Sequence, residues 1–206
     1  MRLFVALSPP QEALDELERA VAQVRESWPE LRWAGADRWH VTLAFLGEVD
    51  DGKLDELDRR LERAAARHAG HPLAIGPGHA FSSVKRARVL VARIEAAEGA
   101  GGAGGRPPAS HIEGGAQALA DLSALAASVA AGARRAGAPP PDEGRKYRPH
   151  LTLARTRQPT DLSGPVAALE GFKGQAWTPT EVHLIRSVLG SRPRYETAGS
   201  WPLGAS

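Results

Sequence analysis

The stretch HVTLAFLG at residues 40–47 is matched 110 positions later by HLTLAR at residues 150–155. Each alternates with a period of two, so each reads as a strand with one apolar and one mixed side. Val41, Leu43 and Phe45 share one side of the first, and His40, Thr42 and Ala44 the other. In the second, Leu151 and Leu153 oppose His150, Thr152 and Ala154. A chain that sets the same polar pair on a strand face twice, half a chain apart, is expected to fold as two similar lobes.

The surrounding pattern repeats as well. RLFVAL (2–7) reads as a short strand, and Ser8 before two prolines suggests a capped helix start. Leu14, Leu17, Val21, Val24 and Trp28 recur at helical steps and predict a helix up to Pro29. After the first motif, a helix over about 53–67 is striped by Leu54, Leu57 and Leu61, with Asp50 or Asp51 as its cap. Strands are expected near 72–76 and 87–95. A helix at about 116–136, the second motif strand, a short helix near 162–170 and strands near 180–188 and 195–203 complete the chain. Residues 98–115 hold seven glycines and two prolines, too many breakers for an element, and read as a flexible surface insertion. The expected fold is α+β, a single bilobed, pseudo-duplicated domain over 1–206, with two largely antiparallel sheets facing a central cleft and helices outside.

Composition narrows the chemistry. No cysteine is present, which excludes disulfides, thiolate metal sites and a cysteine nucleophile. No uninterrupted apolar run approaches the roughly 20 residues of a membrane span, so a soluble, cytoplasmic chain with no membrane partner is expected. The positive charges are 22 Arg against four Lys, and the guanidinium fork is the better partner for phosphate oxygens.

A lone His-x-Thr on a strand is usually a solvated face. Two copies converging on one cleft meet the demands of phosphodiester cleavage. In-line displacement needs a base and an acid on opposite sides of phosphorus, and two imidazoles, with reference pKa near 6.5, fill both roles. Threonine hydroxyls and an arginine would hold the equatorial oxygens. Neither a metal nor a cofactor is required. Strict alternation puts Arg155 opposite His150, so it reaches such a phosphate only if the strand bulges or ends near Ala154, or if its long side chain wraps the edge.

The paired motifs HVTLAFLG and RPHLTLAR, with RLFVAL at the start, Phe81 before ARVLVA, and YETAGSWPL at the end, resemble the two-histidine (2H) phosphoesterase superfamily, specifically the LigT-like RNA 2′,3′-cyclic phosphodiesterases. That resemblance implies a bilobed α+β fold and metal-independent hydrolysis of a 2′,3′-cyclic phosphate to the 2′-phosphate. It implies His40 as general acid on the departing 3′ oxygen, His150 as the base that activates water, and Thr42, Thr152 and Arg155 as phosphate holders. The implied partners are RNA ends or nucleoside cyclic phosphates, and the implied working form is a monomer. The chain departs from the pattern in the 98–115 insertion and in Tyr147, where relatives often carry Phe.

Two alternatives stay open: RNA end joining with a 2′–5′ linkage by the reverse reaction, and a non-catalytic RNA or nucleotide binder. Lys85, Arg86 and Arg88, and Arg145, Lys146 and Arg148, are candidates for contact with RNA backbone. Trp39, Phe81 and Tyr147 are candidates to stack on a base. His68, His71 and His79 invite a metal reading, which their placement in a helix end and a Gly/Pro loop without a nearby carboxylate disfavours; His183 lacks a threonine two places on and reads as structural.

Overall fold

The computed structural model describes residues 1–81, 83–97, 110–141, 144, 146–188 and 194–205. Among these described residues eight strands and four α-helices follow in chain order: β1 (Arg2–Leu7), α1 (Gln11–Ser27), β2 (Arg32–Trp33), β3 (Val41–Glu48), α2 (Leu54–Ala65), β4 (Leu73–Ala80), β5 (Ala87–Ala96), α3 (Ser110–Arg135), β6 (His150–Thr160), α4 (Ser163–Ala168), β7 (Glu181–Val188) and β8 (Arg194–Pro202).

The strands form two four-stranded sheets, ordered β3-β1-β7-β8 and β2-β6-β5-β4, with every neighbouring pair antiparallel. Two lobes are therefore present, but they are not the two halves of the chain. The first lobe takes β1 and β3 from the start and β7 and β8 from the end, while β6 crosses to pair with β5. The repeated order along the sequence is the order of elements, and strand pairing interleaves it.

Alternation along β1 shows how each sheet is two-sided. Leu3, Val5 and Leu7 enter the main core with Leu17, Val21, Leu57, Leu61, Leu151 and Leu153, whereas Phe4 and Ala6 join Ile185 in a small second cluster on the opposite face. That second face carries the histidines.

Both motif strands break strict alternation. In β6, Val91 pairs with Thr152 and Leu90 with Ala154, so Leu153 is an extra residue opposite no partner. In β3, Ala6 pairs with Thr42 and Val5 with Ala44, leaving Leu43 extra in the same way. Each bulge buries two successive residues, Leu153 with Ala154 and Leu43 with Ala44, and reverses the facing of the next residues along the strand. The sequence reading of the first strand is corrected here: Ala44 is buried, and Phe45, expected in the core, is 48% exposed.

Several further expectations shift. Pro10 caps α1 without a side-chain hydrogen bond, so Ser8 does not. A single 3-10 turn, Asp51–Lys53, precedes α2, and neither aspartate caps it through a side chain. The short β2 was not legible from two residues. Helix α3 starts at Ser110, six residues inside the expected insertion. Residues 98–109 of that insertion lie outside the described residues. Although α3 is long and apolar enough to cross a bilayer, its Leu122, Leu125, Ala126, Val129 and Ala133 are buried in the core, and it packs against α2, β3 and β5.

Candidate active site

His40 and His150 stand at the entrances of the two motif strands, and each is tied to the residue two places before it. His150 Nδ1 donates to the Arg148 carbonyl at 2.7 Å, and His40 hydrogen-bonds to the backbone of Arg38. A ring whose Nδ1 proton is committed to a carbonyl leaves Nε2 for a ligand. His40 lies against Phe4, with ring centroids 4.5 Å apart, and meets Tyr195 edge-on at 5.3 Å. His150 meets Phe81 edge-on at 4.8 Å.

These aromatic walls shape the proton affinity of both rings. Burial holds His40 down to about 4; the Arg38 backbone bond opposes this, and the charges of His150 and Arg155 add to it. His150 is lowered for the same leading reason, burial, with Arg155 contributing and the Arg148 backbone bond opposing. His40 thus senses His150, and both rings sense the same guanidinium.

Arg155 is brought to the histidine face by the bulge at Leu153, the condition the sequence had left unmet. Thr42 and Thr152 share the faces of His40 and His150 by register; of the five sequence-named residues, Thr42 and His150 border the central cleft, and His40, Thr152 and Arg155 are not among its lining residues. Thr42, Phe45, Phe81, Lys146, Tyr147, Arg148 and His150 border this cleft of about 780 Å³. Its floor on α3 is Ser123, Ala126, Ala127 and Ala130, a helical stripe of small residues that leaves the volume open.

Other sequence candidates separate. Trp39 is 3% exposed and belongs to the core, so it offers no stacking surface, while Phe81 and Tyr147 border the cleft. The Tyr147 hydroxyl is buried without a hydrogen-bond partner among the described residues, and burial pushes its phenol above the usual range. Lys85 and Arg86 lie in a 3-10 turn before β5 and do not border the cleft. Arg145 lies outside the described residues. His68, His71 and His79 go to three different partners: Ser128 Oγ at 2.8 Å, the Asp121 carboxylate at 3.1 Å and Arg93 at 2.9 Å. Among the described residues no three potential metal ligands converge. Phe45 escaped the sequence reading, because alternation hid it and only the repeated Thr-Leu-Ala, bulged in both copies, could have revealed it.

A family model described as LigT-like phosphoesterase matches residues 7–91 and 115–195, spanning both motif strands. The chain belongs to the LigT-like phosphoesterases. Within that family it is 27% identical, over 97% of its own length, to an RNA 2′,3′-cyclic phosphodiesterase of Geobacillus stearothermophilus. It spans only 56% of that relative. The fold matches the crystal structure of TT0787 of Thermus thermophilus with a TM-score of 0.71, 23% identity and full coverage of both chains. It also matches E. coli LigT complexed with 3′-AMP, with a TM-score of 0.65, 26% identity, and coverage of 98% of this chain and 97% of that one. As in other LigT-like phosphoesterases, the architecture is that of the 2H superfamily, and phosphoester chemistry is the activity class of the family.

Proposed function

We propose that the chain hydrolyses 2′,3′-cyclic phosphates, on RNA ends or on nucleosides, to the 2′-phosphate. The observation that carries this reading is the pair of imidazoles, each hydrogen-bonded to the backbone at its own strand entrance, each with a threonine on its face, and both within the field of Arg155. The cyclic phosphodiesterase of G. stearothermophilus supports the reaction type, and LigT bound to 3′-AMP supports a nucleotide in the cleft.

His150 takes a proton from water as its oxygen attacks phosphorus. The bond from phosphorus to the 3′ oxygen breaks on the far side, and His40 delivers the proton that this oxygen needs. Thr42, Thr152 and Arg155 hold the equatorial oxygens as charge grows on them. The proton carried by His40 arrives with the substrate: the empty site favours neutral rings, and a phosphodiester anion between the rings raises their affinity for one proton. Phe45, exposed on the cleft edge, offers a ring face to the base.

That both histidines lie in one chain supports a monomer as the active unit, and we place its action in the cytoplasm. The two imidazoles supply both proton transfers, and turnover is expected to persist in EDTA. The test is incubation of the purified chain, with EDTA, with nucleoside 2′,3′-cyclic phosphates, identifying the product isomer. The 2′-phosphate is expected. Production of the 3′-phosphate would reverse the assignment of the departing oxygen, and binding without turnover would leave a nucleotide-binding module.

A further inference from the structure

Thr152, Val91 and His79 form one row across the second sheet, as Thr42, Ala6 and His183 do across the first. Each lobe thus sets a second histidine on the face of its motif, two strands from the threonine, roughly 10 Å away. Gly78 fixes that facing in the second lobe. A Cβ there would come within 2.7 Å of the Leu169 side chain, so Gly78 faces α4 and its neighbour His79 faces the other way.

The two histidines differ in company. His183 Nδ1 shares a hydrogen bond with Ser200 Oγ at 2.8 Å. His79 Nδ1 instead lies 2.9 Å from a guanidinium nitrogen of Arg93, and since arginine only donates, the ring accepts there and carries its own proton on Nε2. Arg93 stands opposite His150 in register. The His79 pKa is lowered by burial first, then by the charges of Arg93 and Arg148; Arg148 also borders the cleft and accepts from His150 Nδ1 through its carbonyl. Among the described residues neither Arg93 nor Arg148 forms an ion pair with a carboxylate. Two unneutralised cations beside an imidazole that turns only N–H outward repel one another, and an anion relieves them.

We propose that His79, Arg93 and Arg148 form a second phosphate subsite, which binds the 5′-phosphate group of the nucleotide whose cyclic phosphate lies between His40 and His150. The inference rests on the reading of the cleft as a nucleotide site. Among the described residues of the first lobe His183 pairs with Ser200 and no such cluster surrounds it, so we place the substrate across the cleft with its 5′ side toward β4 and β5. That 5′ group is a diester in an RNA strand and a monoester in a mononucleotide, and the subsite chemistry is common to both.

The test compares dissociation constants for a nucleoside 2′-phosphate, the matching 2′,5′-bisphosphate, and a dinucleotide ending in a 2′-phosphate. Charge-assisted hydrogen bonds at a partly exposed site are worth roughly a tenfold gain for the 5′-phosphate. Arg93→Ala is expected to bring that ratio close to one, and His79→Ala to reduce it by releasing the guanidinium. Arg155→Ala is expected to weaken all three ligands alike and keep the ratio. A gain shared by the dinucleotide marks RNA strands as the source, and a gain confined to the bisphosphate marks mononucleotides. Equal affinity of the wild-type chain for the 2′-phosphate and the bisphosphate, or a full ratio in Arg93→Ala, overturns the subsite alone. Failure of every nucleotide to bind overturns the nucleotide reading and the subsite with it.

Discussion

Phe45 and Arg155 occupy equivalent places in the two lobes, each the third residue after its motif threonine and each turned to the histidine face by an extra leucine in the strand. The same backbone device thus delivers an aromatic ring from one side of the cleft and a guanidinium from the other. The pseudo-symmetry is one of backbone, and the chemistry is divided between the copies.

Arg155→Ala, Thr42→Ala and Thr152→Ala are expected to slow turnover, Arg155→Ala on the order of 10²–10³ in kcat, as for loss of a donor to developing charge. Because none of the three transfers a proton, both limbs of the pH profile should remain in their shape. Steady-state kinetics across pH checks this. Wild-type rates for Arg155→Ala would return that residue to the surface.

Phe45→Ala is expected to raise KM and leave kcat within a few fold, since a stacked base is bound alike in ground and transition states. Stacking on an aromatic side chain is worth about 1–3 kcal/mol. Phe45→Trp should restore most of the affinity; equal KM for wild type and Phe45→Ala would remove the base from this edge of the cleft.

The pH dependence separates the free protein from the complex. In the free protein His40 is held down to about 4 and His150 below its ordinary value. The productive form needs one ring protonated, so kcat/KM should follow a bell centred on the acid side of neutrality, with its alkaline limb below about pH 6.5, the ordinary histidine value. Bound phosphate raises both rings, and the alkaline limb of kcat should move to higher pH. Coincident limbs in the two profiles would contradict the proton uptake proposed for substrate binding.

Acid stability depends on the same shift. Between pH 6.5 and about 4 the unfolded chain protonates His40 while the folded chain does not. Protons therefore favour the unfolded state across that window, and stability falls as pH drops through it, by an amount on the order of 2–3 kcal/mol from this group. Denaturant unfolding at pH 7 and pH 4 is expected to show a smaller acid loss for His40→Ala than for the wild-type chain.

The residues proposed to carry the chemistry were legible in the sequence because they repeat: His40 with His150 and Thr42 with Thr152 stand at matched steps. Their strands were legible because Leu151, Leu153, Val41 and Leu43 alternate with them. Two things were not. Alternation is a property of regular pairing, and an extra residue such as Leu153 is defined only by its partner strand, so the facing of Phe45 and Arg155 awaited the register. Sheet membership likewise depends on β1 pairing with β7, contacts between the two ends of the chain that no local pattern announces. The row joining Thr152 to His79 is of that kind, which is why neither His79 nor His183 is tied to the motifs in the sequence.

His40→Ala and His150→Ala should each cost on the order of 10²–10⁴ in rate, and the double variant far less than the product of the two, because neither ring works well without the other. Loss of both rings with no change in turnover would end the catalytic reading.

The division of labour between the two rings is tested most directly with a 2′,3′-cyclic substrate whose 3′ oxygen is replaced by sulfur. A thiolate, with a reference pKa near 8.5, departs without a donated proton. Turnover of this substrate should be largely restored in His40→Ala and remain uncorrected in His150→Ala, which still lacks its base. Rescue of His150→Ala alone would contradict the assignment and exchange the two roles.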